Sequence, residues 1–317
     1  MASEQARHIR SFKANDSLAK AETVVAAANA SVGTAANASP RPFGRTKDTP
    51  VKNDISMRGM IAAFTIFSVA AAAHAEEKPI STDRPDFVES SQTVGQGRFQ
   101  IETSVARERH SSAGVKTTRL TTPTLLRYGI APAWELRLET DGYTLQRGHD
   151  WATSTTSTQR GVSETSIGLK WHTQDGEGAA PSIAWLFHAD LETGARAFRG
   201  NGVRPSLRAV FEWELPHDFS VGVMPGIIYD TTDTNRRHAA GILAAVLGKS
   251  WNDRFRTFVE ISGQRIASSR NGGSTVTYDT GAAYLLTNDV QVDTAFSWGA
   301  NKNTPNFAWT VGLSARF

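Results

Sequence analysis

No cysteine occurs among the 317 residues. That absence excludes a disulfide framework, a thiolate metal site and a cysteine nucleophile. A continuous run of 18 or more apolar residues is also missing, so no helix is long and apolar enough to cross a bilayer. Neither a Gly-x-Ser-x-Gly elbow nor a phosphate-binding loop is present, which removes two common catalytic signatures. Mean hydropathy is −0.34, with 39% hydrophobic and 21% charged residues. Those averages suit a soluble domain, but a membrane barrel gives the same values. Its strands alternate lipid-facing with lumen-facing side chains, which hides the apolar half.

A large excess of either charge is lacking too. The formal net charge is +3. Residues 1–75 hold nine of the 34 basic and five of the 31 acidic residues, leaving 25 and 26 for residues 76–317. The basicity belongs to the N-terminal part, and no nucleic-acid partner is implied.

Residues 1–56 are rich in Ala, Ser, Asn and Thr without periodicity, the composition of a disordered segment. Met57-Arg58-Gly59-Met60 then precedes an apolar run, residues 61–73, and the small-x-small site Ala73-His74-Ala75. A short basic start, an apolar stretch too short to span and a cleavage site predict a signal peptide over residues 57–75. An N-terminal core helix is the alternative. Since a signal peptide opens a chain, translation is expected to start at Met57, with residues 1–56 a disordered or mis-assigned upstream extension. Residues 76–96 are then a periplasmic or plug segment, and residues 97–317 form the folded domain.

From Gly97 to Phe317 the dominant pattern has period two. Phe99, Ile101, Thr103 and Val105 alternate with Gln100, Glu102, Ser104 and Ala106. Trp134, Leu136, Leu138 and Thr140 alternate with Glu135, Arg137, Glu139 and Asp141. Successive strand side chains point to opposite faces, so each segment has one apolar and one charged face. The rhythm recurs often enough for about 12 strands of spanning length, which predicts an all-β, antiparallel transmembrane β-barrel. Short links near residues 130–133, 216–218, 249–254 and 287–289, with a longer one at 173–181, alternate with longer polar stretches at 143–160, 193–202, 231–237, 266–273 and 300–306. Outer-membrane barrels have short periplasmic turns and longer extracellular loops. Tyr128, Trp134, Trp171, Trp213, Phe219, Trp251, Phe255, Tyr284 and Phe317 lie beside the short turns, as an interfacial girdle requires. Tyr143, Tyr229, Trp298, Phe307 and Trp309 are candidates for the outer girdle. A soluble β-sandwich is the competing architecture.

The C-terminal run from Phe307 to Phe317 resembles the closing strand recognised by the outer-membrane barrel assembly machinery, with Phe317 at its end. A narrower resemblance lies upstream, in Ser81-Thr82-Asp83-Arg84-Pro85-Asp86-Phe87-Val88-Glu89-Ser90-Ser91-Gln92-Thr93-Val94 followed by Gly97-Arg98-Phe99-Gln100-Ile101-Glu102. The Thr-Asp-Arg-Pro-Asp core and the Gly-x-Phe-Gln-x-Glu entry are similar to those of the outer-membrane transporters associated with the meta-cleavage pathway of phenol degradation. The resemblance implies outer-membrane localisation and a transport role. It brings no catalytic residues and names no solute.

On this register the lumen receives charges of both signs, among them Arg137, Glu139, His172, His188, Asp190, Arg204, Arg208, Glu212, Arg256 and Glu260. They form either a constriction that orients a polar or amphipathic solute or a network of ion pairs that braces the wall. Asp83, Arg84 and Asp86 are candidates for a plug paired to lumen charges. Val210, Met224, Ile228, Leu243 and Leu247 are expected as an inner apolar stripe, able to guide a hydrophobic solute or to pack against an inward-folded segment. An outer-membrane hydrolase would need a Ser/His pair on the lipid face. Ser163 and His238 are the outward candidates, and they lie too far apart to share a proton. His172 and His188 alone do not make a metal site. The expected protein is a channel for passive uptake of small organic solutes, amphipathic or, as the family resemblance implies, aromatic, without a cofactor or enzymatic activity. Its partners are outer-membrane lipid, the assembly machinery and the solute, and its oligomeric state is open. A structural or adhesive barrel, working through the loop at 143–160 with Trp151, is the other class.

Overall fold

The computed structural model describes residues 78–232 and 234–317. The upstream extension and signal peptide expected over residues 1–75 lie outside them. Fifteen β segments follow one another: β1 (Phe99–Ser112), β2 (Val115–Thr121), β3 (Thr124–Ala131), β4 (Trp134–Thr140) and β5 (Tyr143–Asp150). Next come β6 (Thr155–Val162), β7 (Thr165–Gln174), β8 (Ser182–Asp190), β9 (Arg204–Leu215) and β10 (Phe219–Thr231). The last five are β11 (Arg237–Asn252), β12 (Phe255–Ile266), β13 (Thr275–Thr287), β14 (Val290–Gly299) and β15 (Phe307–Arg316).

Three pairs of segments are halves of single strands. β1 pairs with both β2 and β3, β4 continues into β5, and β7 continues from β6. The interruptions fall at residues 122–123, 141–142 and 163–164, side by side across the sheet. Pro123 has no N–H for the ladder, and its carbonyl accepts from the Ser104 amide at 2.9 Å. The sheet is therefore a 12-stranded antiparallel barrel, closed by β15 on β1. At the seam the Phe99 and Phe317 backbones exchange hydrogen bonds of 3.1 and 2.7 Å, and their rings stack 6.3 Å apart. The turn that carries residues 132–133 lies at this same end, where Trp134 and Trp171 stack at 5.1 Å.

The polar stretch at 143–160 is not a loop. It forms β5 and β6, a hairpin paired from Tyr143↔Val162 to Asp150↔Thr155. The hairpin rises from the outer edge of the apolar band, and its outward face mixes Tyr143, Leu145 and Val162 with Arg147 and Arg160, so the alternation that marks a membrane strand is lost there.

The barrel is charged inside and apolar outside. Gln100, Glu102, Arg127, Glu135 and Lys170 are fully buried, while Leu136, Leu138, Ile167, Ile227, Val259 and Val311 are exposed on the outer surface. A β-sandwich would bury the apolar set. An exposed apolar band of this extent is matched only by lipid.

One small apolar cluster lies inside, made of Val88, Leu186, Val210, Met224 and Ala244 with Phe87 and Val246 packed against it. Val210 and Met224 face inward as expected, and Ile228 is half-buried. Leu243 and Leu247, expected on the same stripe, face lipid instead. Met224 pairs with Ala244, and Gly222 with Val246, so the even positions of β11 point inward. The run Ala239-Ala240-Gly241-Ile242-Leu243-Ala244-Ala245-Val246-Leu247 is apolar on both faces, and only the cross-strand register decides its orientation. Leu243→Arg should cost about 2–4 kcal/mol, as a cation placed on the lipid face near the midplane does. Folding titrations into lipid vesicles measure it, and an unchanged midpoint would put residue 243 in the lumen.

Candidate functional site

Residues 78–97 carry no regular strand and run through the lumen. The segment is anchored at the turn end, where the Ile80 amide donates to the Asn288 carbonyl at 2.7 Å and Arg316 donates to the Lys78 carbonyl at 2.9 Å. It returns along β3, with the Gly97 amide on the Gly129 carbonyl at 2.8 Å. A Cβ at Gly129 would stand 1.8 Å from the Gly95 carbonyl oxygen, so this crossing needs glycine.

An irregular segment must find partners for its amides elsewhere. Here the wall supplies them as carboxylates. The Asp83 amide donates to Glu102 at 3.0 Å, those of Phe87 and Val88 to Glu260 at 2.8 and 2.7 Å, that of Ser91 to Glu212 at 2.7 Å, and that of Val94 to Glu135 at 3.0 Å. Glu212 and Glu260 thus point into the lumen and hold backbone there, and Glu212 also lines a cavity at the turn end.

At the centre lies a network of charges, all buried except the half-buried Arg208. Asp83 accepts from Arg137 at 2.6 Å and from Lys170 at 2.9 Å, with Arg127 at 3.5 Å. Glu89 bridges Arg137 and Arg208, each at 2.7 Å. Arg127 spends all five donors, two on Glu135, one on Glu102 and two on the carbonyls of Ser81 and Gln92. The wall therefore brings four cations, Arg127, Arg137, Lys170 and Arg208, against the carboxylates Glu102 and Glu135. Asp83 and Glu89 supply the two missing negative charges. Burial alone would raise the Asp83 carboxyl, but Arg127, Lys170 and Arg137 outweigh it and hold the group well below the usual carboxylate range. Glu89 is likewise held low, with Arg137 and Arg208 outweighing burial.

The remaining candidates fall into two further groups. Toward the turn end, Arg84 pairs with Asp293 at 3.1 Å, and Asp86 with Arg256 at 3.1 Å. A Cβ at Gly312 would collide with the Arg84–Asp293 pair at 2.7 Å. His172 lies 2.9 Å from the Ser91 carbonyl and 3.1 Å from Asp175. Toward the loop end, Arg204 binds Glu164, Asp190 at 3.2 Å and Asp230 at 3.4 Å, and does not touch the central network. His188 is buried 3.6 Å from Glu139. No group of His, Asp and Glu suited to a metal occurs among the described residues. Ser163 and His238 are buried rather than lipid-facing; Ser163 shares a hydrogen bond of 2.7 Å with Thr144. Ser163 is turned inward at the strand break of residues 163–164 and His238 by the register of β11, where it pairs with Asp230, so the outward Ser/His pair is lost. Glu89 was missed as a site residue because only its partners across the barrel distinguish it from the neighbouring polar side chains.

The lumenal segment lies between two cavities. One, of about 440 Å³, is lined by Pro79, Ser81, Arg254, Arg256 and Gln291. The other, of about 200 Å³, is lined by Phe87, Leu125, Arg137, Glu139 and Arg208. In the second, the Arg208 guanidinium stands 5.9 Å from the centre of the Phe87 ring.

The depressed Asp83 pKa fixes the sign of a pH effect. Its contribution is fully present above the unfolded value near 3.9 and is lost as pH falls through lower values. Hydrogen exchange over residues 83–91 should be equally protected from pH 8 to 5 and lose protection below about pH 4. Asp83→Asn leaves buried cations short of a counter-charge and should weaken docking by about 3–5 kcal/mol. Unchanged protection in that variant would dismiss the ion pairs as the anchor.

Among curated proteins no sequence match is found. The COG4313 outer membrane channel from Pseudomonas putida F1 superposes with a TM-score of 0.54 at 12% identity, over 72% of this chain and 98% of the other. A KdgM porin gives a TM-score of 0.43 at 13% identity, covering 69% and 99%; the CymD monoaromatic hydrocarbon channel gives 0.39 at 9%, covering 70% and 88%. The first of these shows a shared barrel fold. The family model described as "Putative MetA-pathway of phenol degradation" matches residues 82–317, which takes in most of the lumenal segment and the whole barrel, and the chain belongs to that family of outer-membrane β-barrel proteins.

Proposed function

We propose that the protein is an outer-membrane channel for passive uptake of small organic solutes, non-enzymatic, with residues 78–96 as a plug that must shift for passage. One observation carries this reading: an irregular segment, held by ion pairs rather than by a packed core, divides a polar lumen into two cavities. A bracing element would gain more from apolar packing, since buried ion pairs add little net stability. The cavity of about 200 Å³ combines Phe87 and Leu125 with Arg137 and Arg208. That mixture suits a small ring bearing an anionic group, because guanidinium binds carboxylate in two-point fashion and stacks on aromatic faces. Its volume lies below the range of sites for drug-sized ligands, roughly 300–1,000 Å³. The family's tie to phenol degradation agrees with aromatic cargo. Recognition of Phe317 by the assembly machinery belongs to the same proposal.

An adhesive barrel is the second reading, favoured by Trp151, 65% exposed at the tip of the β5–β6 hairpin and edge-on to His149 at 4.3 Å. Planar-bilayer recordings separate the two. Deletion of residues 76–96 should raise single-channel conductance and shift selectivity toward anions, since it removes Asp83, Asp86 and Glu89 against the single Arg84 and so takes net negative charge out of the lumen. Benzoate added to the native channel should produce concentration-dependent block. A folded, heat-modifiable barrel that conducts equally with and without the segment would sink the plug. Surface binding without conductance in either form would favour adhesion.

A further inference from the structure

The outward face of the sheet formed by β1, β2, β5 and β6 changes character at the outer edge of the apolar band. On β1 the lipid-facing series Phe99, Ile101, Thr103 and Val105 continues as Arg107 and Arg109. Directly paired residues share a face in an antiparallel sheet. Arg107 pairs with Trp309 on one side and Leu120 on the other, and Arg109 with Phe307 and Thr118. Continuing across, Thr118 pairs with Arg147, Lys116 with His149, and Leu145 with Arg160. Arg107, Arg109, Lys116, Arg147 and Arg160 therefore share one outward surface. No Asp or Glu of these strands lies on it. Glu108 points to the other face, 3.9 Å from Arg119, and Asp150 pairs with Val115 at the hairpin ends.

None of these five cations makes an ion pair or hydrogen bond among the described residues, whereas Arg204, Arg237, Arg256 and Arg265 on the other strands all do. A merely solvated surface would mix both signs, because like charges on neighbouring strands repel. Height decides what faces the patch. The five residues lie 8–13 positions beyond the aromatic residues of the turn end, Phe99, Tyr128, Trp134 and Trp171, on their own strands. At about 3.3 Å per residue and a tilt of 35–45°, that is roughly 20–35 Å along the axis, against an apolar band of about 25 Å. The cations begin beside the outer aromatic residues Trp309 and Phe307 and rise above them. On the same face, Leu120, Tyr143, Leu145 and Val162 continue the lipid-exposed surface among the cations.

We propose that Arg107, Arg109, Lys116, Arg147 and Arg160 form a docking site for the phosphate groups of a phosphorylated glycolipid of the outer leaflet. The patch spans three inter-strand spacings, about 14 Å, wide enough to hold two phosphates of one headgroup, each between two or more cations. Arginine supplies two-point donors to phosphate oxygens, and the apolar side chains below receive the acyl chains. The site is continuous with the lipid-facing belt and separate from the lumen, so it stands whether or not the barrel conducts.

The test uses the full-length protein purified from membranes in detergent, titrated with a bis-phosphorylated glycolipid, its dephosphorylated form and inorganic phosphate, and read by native mass spectrometry. Expected is binding of the phosphorylated lipid at least about tenfold tighter than the dephosphorylated one, weakening with salt. Replacing Arg107, Arg109, Arg147 and Arg160 by Gln should abolish the difference while heat-modifiability and channel conductance stay unchanged. Replacement by Lys should retain most of it. Should the fourfold variant fail to fold, the pair Arg147→Gln and Arg160→Gln, on the hairpin beyond the strand breaks, should still lower the preference about threefold or more. Equal binding of the two lipids overturns the proposal. So does displacement by inorganic phosphate at comparable concentration, which would mark a site for free anions.

Discussion

Everything inside this barrel depends on one constraint: a charge removed from water must meet an opposite charge and fill its hydrogen bonds. Arg127, Arg137 and Lys170 project from β3, β4 and β7 into a lumen where all three are buried. Glu102 and Glu135 answer part of that charge, and Asp83 and Glu89 of the lumenal segment complete it. The wall and the segment are thus electrostatic halves of one object. Neither is a satisfied structure alone, which is why a stretch without helix or strand holds a defined path across the lumen.

The same constraint accounts for how the segment is held along its length. Its amides cannot pair with a sheet, so Glu102, Glu135, Glu212 and Glu260 reach inward from four different strands to receive them. Apolar packing contributes at one place, where Val88 and Phe87 meet Leu186, Val210 and Met224. An element secured mainly by polar contacts can exchange them for water at modest net cost, whereas a packed core would lose its contacts outright. That difference favours a segment that moves over a fixed brace.

Outside, the physics reverses. The lipid-facing surface repeats small variations of one apolar pattern, and the aromatic residues mark its edges. The line of interruptions at residues 122–123, 141–142 and 163–164 separates the membrane-spanning part of the wall from the hairpins beyond it. Past that line Arg, Lys and Thr join the outward apolar side chains Leu120, Tyr143, Leu145 and Val162, and β5 and β6 rise from the outer edge of the apolar band.

Strand number, antiparallel order and the inside-out distribution of charge were legible from residues alone, because period-two alternation reports which medium each face meets. Alternation fails where the two faces meet the same medium. In β6, residues 155–160 are polar on both faces and the strand reads as a loop. In β11, residues 239–247 are apolar on both faces, and the orientation of Leu243 is undetermined until Met224 is paired with Ala244. The lumenal candidates show the same division. Arg137 and Arg256 could be placed inside from their own strands, but Arg137 joins Asp83 across 54 residues and Arg256 joins Asp86 across 170. Where the two faces of a strand meet different media, the sequence by itself determined which side of the wall a residue faces, since that is a property of neighbours two positions away. Only the tertiary structure decided which charges neutralise one another, because ion pairing depends on distance in space and barrel closure sets those distances.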